Sequence, residues 1–366
     1  MTRSVSCQAP GKLFITGEYA VVEPGHSALL VSVNRFITVT ATATEGPAAR
    51  ISSTLYEGGQ RTWTRDSHGV AIQQPDDLDY VLSALRVVEE VARTGGLVTE
   101  MFHLDVDSQL VDDEGVKLGL GSSAAVTVAT VRAVAAFHGL QVSDLDVCKM
   151  ALLASDTVEP IGSGGDIAAS SFTGWVRYSS PDRQWLRRKR RTMSVADLVR
   201  SEWPGLRVER INIPADINLL VGWTREPAST PYLVANVQDR AQEDATSVND
   251  YQGFLASSDA CVDELVHALQ SRNFAAVAQA VAVSRHLLQD LMRASGVVIE
   301  TAELTRLVEI ACAHGAAAKS SGAGGGDCGI ALHGSHTSAD ALRKAWSEAG
   351  ILPLDLVVWT RPEESR

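Results

Sequence analysis

Residues able to do chemistry are densest in the stretch Lys117-Leu118-Gly119-Leu120-Gly121-Ser122-Ser123-Ala124-Ala125. An acidic, turn-prone run (residues 112–115) precedes it. Behind it, Val126, Val128, Ala129, Val131, Ala133, Val134 and Phe137 follow at helical spacing and end at Gly139. A glycine loop opening onto a helix start presents unpaired N–H groups and the positive end of a dipole, an arrangement that attracts phosphate. Glycines let a bulky anion approach the backbone, and Ser122 and Ser123 offer hydroxyls to phosphate oxygens or magnesium. The spacing Gly119-x-Gly121-x-x-Ala124 also satisfies the dinucleotide fingerprint. That motif requires an apolar strand directly upstream, where this chain has Asp-Asp-Glu-Gly-Val-Lys. The segment therefore reads as a nucleotide phosphate cradle outside the Rossmann fold. Taken alone, it leaves open a tight loop-to-helix turn that binds nothing.

Two other segments share this character. Residues 159–166 form a flexible loop ending in the carboxylate of Asp166, and residues 319–329 hold five glycines ahead of Ile330-Ala331-Leu332-His333. Near the start, Lys12 follows Gly11, but a Walker A loop would need a glycine where Ser6 stands. Asp105-Val106-Asp107 lacks the glycine and terminal glutamate of an EF-hand, and the nine histidines show no zinc spacing. The tryptophans are too scattered to form a base-stacking platform. Asp327 and Cys328 read as structural, because no base neighbours Cys328 in sequence. The run Arg187-Arg188-Lys189-Arg190-Arg191 could be a phosphate or nucleic-acid patch. Its polar, irregular flanks favour a solvated connection between domains.

The elements that must position these loops are legible in outline. With 366 residues the chain has room for one large or two ordinary domains. A net charge of −12 argues against nonspecific nucleic-acid binding as the main function. Five widely spaced cysteines without a C-x-x-C pair read as reduced thiols. There is no apolar signal core and no bilayer-length run, so a cytoplasmic protein is expected. Strands are expected at 5–9, after a turn through 10–19, at 28–43, 50–55, 102–106, 175–178, 208–213, 217–224, 330–333 and 356–359. Helices are expected from Asp79 to Gly95, from Ser143 through 153, and over 246–270, 273–294, 300–314 and 338–348. This order suggests two α+β lobes, 1–213 and 214–366, with a cleft between them.

Three segments, 10–19, 119–125 and 319–329, occur in this order, with Lys12 in the first and Asp166 between the second and third. They resemble the motifs of the GHMP kinases, small-molecule kinases acting on galactose, homoserine, mevalonate and phosphomevalonate. The resemblance runs along nearly the whole chain and is poorest at 180–206. Within the family, Lys117, residues 220–224 and the Ser-Ser and Asp-Cys-Gly of the third motif are similar to the bacterial-type phosphomevalonate kinases. One departure stands out: the family's mevalonate kinases carry a metal-binding glutamate eleven residues before the aspartate, and here that position is Ser155.

The resemblance implies an α+β, two-lobed GHMP-kinase fold. Its N-terminal α/β lobe would have a left-handed βαβ unit, and its C-terminal lobe would be ferredoxin-like. It implies ATP-dependent phosphorylation of (R)-5-phosphomevalonate to 5-diphosphomevalonate, with ATP and Mg2+ required and no nucleic-acid or membrane partner. A mevalonate kinase, another family kinase or a non-catalytic metabolite sensor are the alternatives. Lys12 would then be the main electrostatic catalyst, with Asp166 positioning it or the metal. Lys117, Gly119, Leu120, Gly121, Ser122, Ser123 and Ala124 would hold the nucleotide, Ser122 or Ser123 touching magnesium. The acceptor would meet Lys12, Glu18, Tyr19, Ser163 and the amides of Gly164 and Gly165. Arg225, Ser229 or Thr230 would contribute from the second lobe, and Ser321, Gly322, Ala323 and Gly324 would close the third loop over the cleft.

Overall fold

The computed structural model describes residues 2–362 apart from 54–59, 67–68, 73–78, 98–99, 161, 215, 227–232, 234–244 and 335–338. Two long antiparallel strands start the fold, β1 (Ser4–Thr16) and β2 (Ser27–Thr44), the second rich in β-branched Val, Ile and Thr. The turn expected at Pro10-Gly11 is absent. β1 runs through it with only a register shift between these two residues, the kind of irregularity where a strand tolerates proline. Lys12 therefore sits on a strand. β2 is long enough to pair also with β6 (Met101–Ser108) near one end and β7 (Trp175–Ser179) near the other. With β3 (Ala48–Ser53), β4 (Gln60–Asp66), β5 (Gly69–Ile72) and β8 (Arg207–Ile211) the order is β5-β4-β3-β6-β2-β7-β8, with β1 on β2. Among the described residues only β3 and β6 pair in parallel.

The helices of this part are α1 (Tyr80–Thr94), α2 (Ser122–His138), α3 (Asp144–Val158), α4 (Gly165–Phe172), α5 (Arg183–Arg190) and α6 (Val195–Arg200). Asp79 caps α1 through Leu82 N at 2.7 Å, and Ser143 with Asp146 forms a capping box on α3, as expected. α2 is apolar nearly all round because it is enclosed, packing on β1, β2, α1, α3 and α4. The basic run is not an irregular connection. It forms α5, started by Asp182 and fixed by the buried Leu186.

A second sheet contains β9 (Asn218–Trp223), β10 (Ala317–Ser320), β11 (Cys328–His333) and β12 (Leu352–Leu354). Its order, β10-β11-β9-β12 with every neighbour antiparallel, is ferredoxin-like. α7 (Ala245–Gln270), α8 (Phe274–Ser295) and α9 (Ala302–Ala313) separate β9 from β10, and α10 (Ala339–Glu348) precedes β12. The strand expected at 208–213 closes the first sheet against β7. One expectation changes here. The terminal strand is 352–354, stopped by a tight turn from Leu356 N to Leu354 O. Beyond that turn the chain returns to the first sheet, where Val358 bridges Val33 and Trp359 N donates to Ser32 O at 2.9 Å. All five cysteines are free. Among the described residues no helix is long and apolar enough to cross a membrane.

Candidate active site

The loop before α2 turns through two left-handed glycines. Gly119 has φ 72° and Gly121 has φ 76°, and the latter is an N-cap without a side-chain cap. Ala125 N is the first donor of the helix ladder, bonding to Gly121 O at 3.0 Å. The N–H groups of Ser122, Ser123 and Ala124 therefore have no acceptor within the helix. They open into a cavity of 630 Å³, lined also by Lys117, Gly119, Leu120 and Gly121. All seven residues expected to hold the nucleotide thus line one cavity. Lys12 N donates to Leu120 O at 2.9 Å, which ties the loop to β1.

The same contact brings Lys12 over the loop. Its side chain is only 8% exposed, and Nζ lies 3.4 Å from Oδ2 of Asp166, in the first turn of α4. The ammonium also sits 5.5 Å from the centre of the Phe14 ring. α4 is itself held to the strands: Ser170 Oγ donates to Pro10 O at 2.8 Å, and Ser32 Oγ to Ala169 O at 2.8 Å. Two residues 154 positions apart in sequence are thereby held near each other by serine hydroxyls bonded to backbone carbonyls.

Glu18, Tyr19, Ser163, Gly164, Gly322 and Ala323 line the same cavity. Tyr19 Oη donates to Ala323 O at 2.6 Å, linking the first and third glycine segments. Burial, then the charge of Glu18, pushes the Tyr19 phenol upward, so it stays a neutral donor. Glu18 is 3% exposed and pairs with the fully buried Lys319, whose Nζ also donates to Ser320 O at 2.7 Å.

Other expected residues lie off the cavity lining. Gly165 packs against Phe14 and Leu30, its N–H bonded to Ser163 Oγ at 3.2 Å. Ser321 Oγ accepts from Phe14 N at 3.0 Å and donates to Phe14 O at 2.9 Å, a structural clasp between the sheets. Gly324 approaches the Ile299 carbonyl so closely that an added Cβ would lie 2.0 Å from it. Arg225 is exposed, and Ser229 and Thr230 lie outside the described residues. Cys328 is buried, and its thiol is pushed up by burial and then by Asp327, in keeping with a structural role.

Sequence reasoning missed three lining groups. Asp327, read as purely structural, also lines the cavity beside Gly119. Asp79 does so besides capping α1. Tyr80, the first residue of α1, donates from Oη to Glu159 Oε2 at 2.8 Å. Burial and then the Glu159 bond raise the Tyr80 phenol well above its ordinary value. A tyrosine one residue after a helix cap carries no motif, so only the packing of α1 against α3 reveals it.

The donor set suits a hard cation. Asp166, Glu159, Ser122, Ser123 and Ser155 all line the cavity and offer only oxygen. Among the described residues no three His, Cys, Asp or Glu side chains cluster as a complete metal cage. Magnesium does not need one, since it binds through one or two carboxylates together with substrate phosphates.

Comparison with known proteins follows the same lines. A family model described as the GHMP kinases N terminal domain matches residues 79–174, and one described as GHMP kinases C terminal matches 265–352. The phosphomevalonate kinase of Streptomyces sp. (strain CL190) is 41% identical, with 97% of each chain covered. A mevalonate kinase of Thermococcus onnurineus is 27% identical, covering 90% of this chain and 89% of its own. Among solved structures, Streptococcus pneumoniae phosphomevalonate kinase in complex with phosphomevalonate and AMPPNP superposes with a TM-score of 0.84 at 28% identity, covering 96% of this chain and 99% of its own. A Lin0012 protein from Listeria innocua gives 0.88 at 32% identity over 97% of both chains.

Proposed function

The chain belongs to the GHMP kinase family and is a phosphotransferase; from that premise we propose that it transfers the terminal phosphoryl group of ATP to (R)-5-phosphomevalonate. The products are 5-diphosphomevalonate and ADP, a step on the mevalonate route to isoprenoids. The observation that carries this reading is the 3.4 Å approach of Lys12 to Asp166 at the uncapped start of α2. The choice of acceptor is supported by the relative at 41% identity and by the solved neighbour named with both phosphomevalonate and AMPPNP.

Phosphoryl transfer is mainly positioning and charge neutralisation. In this reading the N–H groups of Ser122, Ser123 and Ala124 receive the outer phosphates of ATP, with Gly119, Leu120 and Gly121 along them and Lys117 at the edge. Lys12 stabilises the charge that develops on the transferring group. The acceptor is itself a phosphate, with a second pKa of about 6, so it reaches the site already ionised. Asp166 then need not act as a strong base and serves to keep the Lys12 ammonium aimed. Ser122, Ser123, Asp166 and Glu159 would hold a magnesium ion, which neutralises phosphate charge when bound. Glu18, Tyr19, Ser163, Gly164, Gly322 and Ala323 enclose the acceptor. We place the lobe boundary near 213/214 and the protein in the cytoplasm, a location the five free thiols support.

Phosphorus NMR tests the reading directly. With ATP and magnesium, the purified protein should form a diphosphate product and ADP from phosphomevalonate and leave mevalonate unchanged. Turnover of mevalonate alone would make it a mevalonate kinase, and ADP from neither would leave a metabolite-binding relative.

A further inference from the structure

The basic run is the one sequence feature that the phosphate chemistry leaves unused. Residues 183–191 carry six cations and no acid, in a chain of net charge −12. Three of the six are engaged at the end of α3. Arg183 Nη1 and Arg187 Nη2 donate to Pro160 O at 2.5 and 3.0 Å, and Arg190 Nη1 donates to Leu153 O at 3.0 Å. Arg187 also lies 3.4 Å from Asp156. These are carbonyls at a helix C-terminus, where cations are favoured.

Their location matters more than their capping. Pro160 belongs to the loop joining α3 to α4, and its neighbours Glu159 and Gly162, with Ser163 and Gly164, line the cavity. α5 is therefore clamped to the outer side of the acceptor loop. The other three cations, Arg188, Lys189 and Arg191, are exposed and form no ion pair among the described residues; Lys189 only rests 5.9 Å from the Trp185 ring. Arg191 lies four residues after Arg187 and three after Arg188, spacings at which like charges destabilise a helix. Capping α3 does not require them.

The cavity supplies a reason for them. Its lining carries five carboxylates, Glu18, Asp79, Glu159, Asp166 and Asp327, against Lys12 and Lys117 on the lining, with Lys319 behind Glu18 and Arg61 3.9 Å from Asp79. The lining itself thus offers a small polyanion little surplus positive charge, and cations at the entrance would supply it. We propose that α5 is an anion-collecting rim on the acceptor side of the cavity, matched to a small acceptor bearing both a phosphate and a carboxylate; this rests on the phosphomevalonate reading above. One helical turn, about 5.4 Å, separates Arg187 from Arg191. That rise is shorter than the Debye length at physiological salt, about 8 Å, and far shorter than the roughly 30 Å at 0.01 M, so the rim's charge should act on the loop most strongly at low salt.

The test replaces only the three exposed cations, as Arg188→Gln, Lys189→Gln and Arg191→Gln together, and measures kcat and KM against ionic strength. At low salt the KM for phosphomevalonate should rise about tenfold, the lower end of electrostatic focusing effects, with kcat unchanged and the KM for ATP moving less. The two enzymes should converge near 1 M salt, where the screening length is about 3 Å. Equal acceptor KM values at low salt, or an equal shift for ATP, would overturn the rim while the kinase reading stands. A wild-type enzyme inactive on phosphomevalonate would overturn the kinase reading itself, and the rim's acceptor with it. Salt-sensitive binding of duplex DNA, lost in the variant at unchanged KM, would make the run a nucleic-acid patch and also defeat the proposal.

Discussion

Gly121→Ala adds a single methyl group where Lys12 and Asp166 meet the glycine loop before α2. Its Cβ would lie 2.6 Å from Cε of Lys12 and 3.2 Å from both Cγ of Lys12 and Oδ2 of Asp166. Non-bonded carbons settle at about 3.5–4.0 Å, so the end of the lysine must retreat by about 1 Å. A lysine chain can bend that far, which keeps the cost to folding small. The left-handed φ of 76° adds about 1–2 kcal/mol for a residue with a Cβ, equivalent to a few degrees in Tm. The cost to chemistry is larger, because the retreat opens the 3.4 Å pair with Asp166, and a misplacement of about 1 Å is worth about 100-fold in rate. Coupled ADP release at saturating substrates, run beside a thermal melt, separates the two effects. The expected result is a kcat about 100-fold lower with only a modest fall in Tm. A kcat within about threefold of wild type would show that turnover does not depend on this geometry.

Three more predictions address the supports of the site. Lys319→Met leaves Glu18 a buried charge without its partner and should cost about 3–5 kcal/mol in urea unfolding. Glu18→Gln combined with Lys319→Met should recover most of that, and a double variant no more stable than the single would contradict the pairing. Burial would raise the carboxyls of Glu89, Asp144 and Glu300, but bonds from His138 and Arg65, Arg132 and Arg361, and Arg285 outweigh it and hold all three below their ordinary values. With folded values below unfolded ones, the stability they contribute is complete above the ordinary carboxylate range, about pH 4, and disappears as pH falls through the lower folded values. A urea midpoint that stays flat to about pH 3 would exclude this. Tyr80→Phe frees Glu159 from its 2.8 Å bond and should raise the magnesium needed for half-maximal activity about tenfold, as loss of a supporting contact to a metal ligand does. An unchanged magnesium titration would remove Glu159 from the metal shell.

Much of the site was legible because its signals are local. Gly119, Gly121 and the apolar run behind them specify a loop opening onto a helix, and the Asp79 and Ser143 caps mark helix starts within a residue. The ferredoxin-like order of the second sheet was expected from family resemblance, since strand order depends on pairings distant in sequence. What local signals missed was settled by tertiary contacts. Pro10-Gly11 has turn composition, yet β2 pairs on both sides of it and holds the strand straight. The charges of 187–191 hide a helix because its cap, Asp182, and its single buried anchor, Leu186, lie ahead of the run. The tail at 356–359 has strand alternation, but its partner is Val33 in the other sheet. Ser321 and Gly324 carry motif identity, yet one clasps β1 and the other yields to the Ile299 carbonyl. Motif membership marks a segment without saying which of its residues face the cavity.

The central claim is that a strand-borne lysine, aimed by Asp166 over an uncapped helix start, stabilises the transferring phosphoryl group. Steady-state turnover of Lys12→Met with ATP and phosphomevalonate tests it most directly. Removing one such electrostatic donor costs about 100- to 1,000-fold in kcat, and a fall of at least that size is expected, with an unchanged thermal melt and little change in the KM for ATP. Turnover close to wild type in a folded Lys12→Met enzyme would contradict the account.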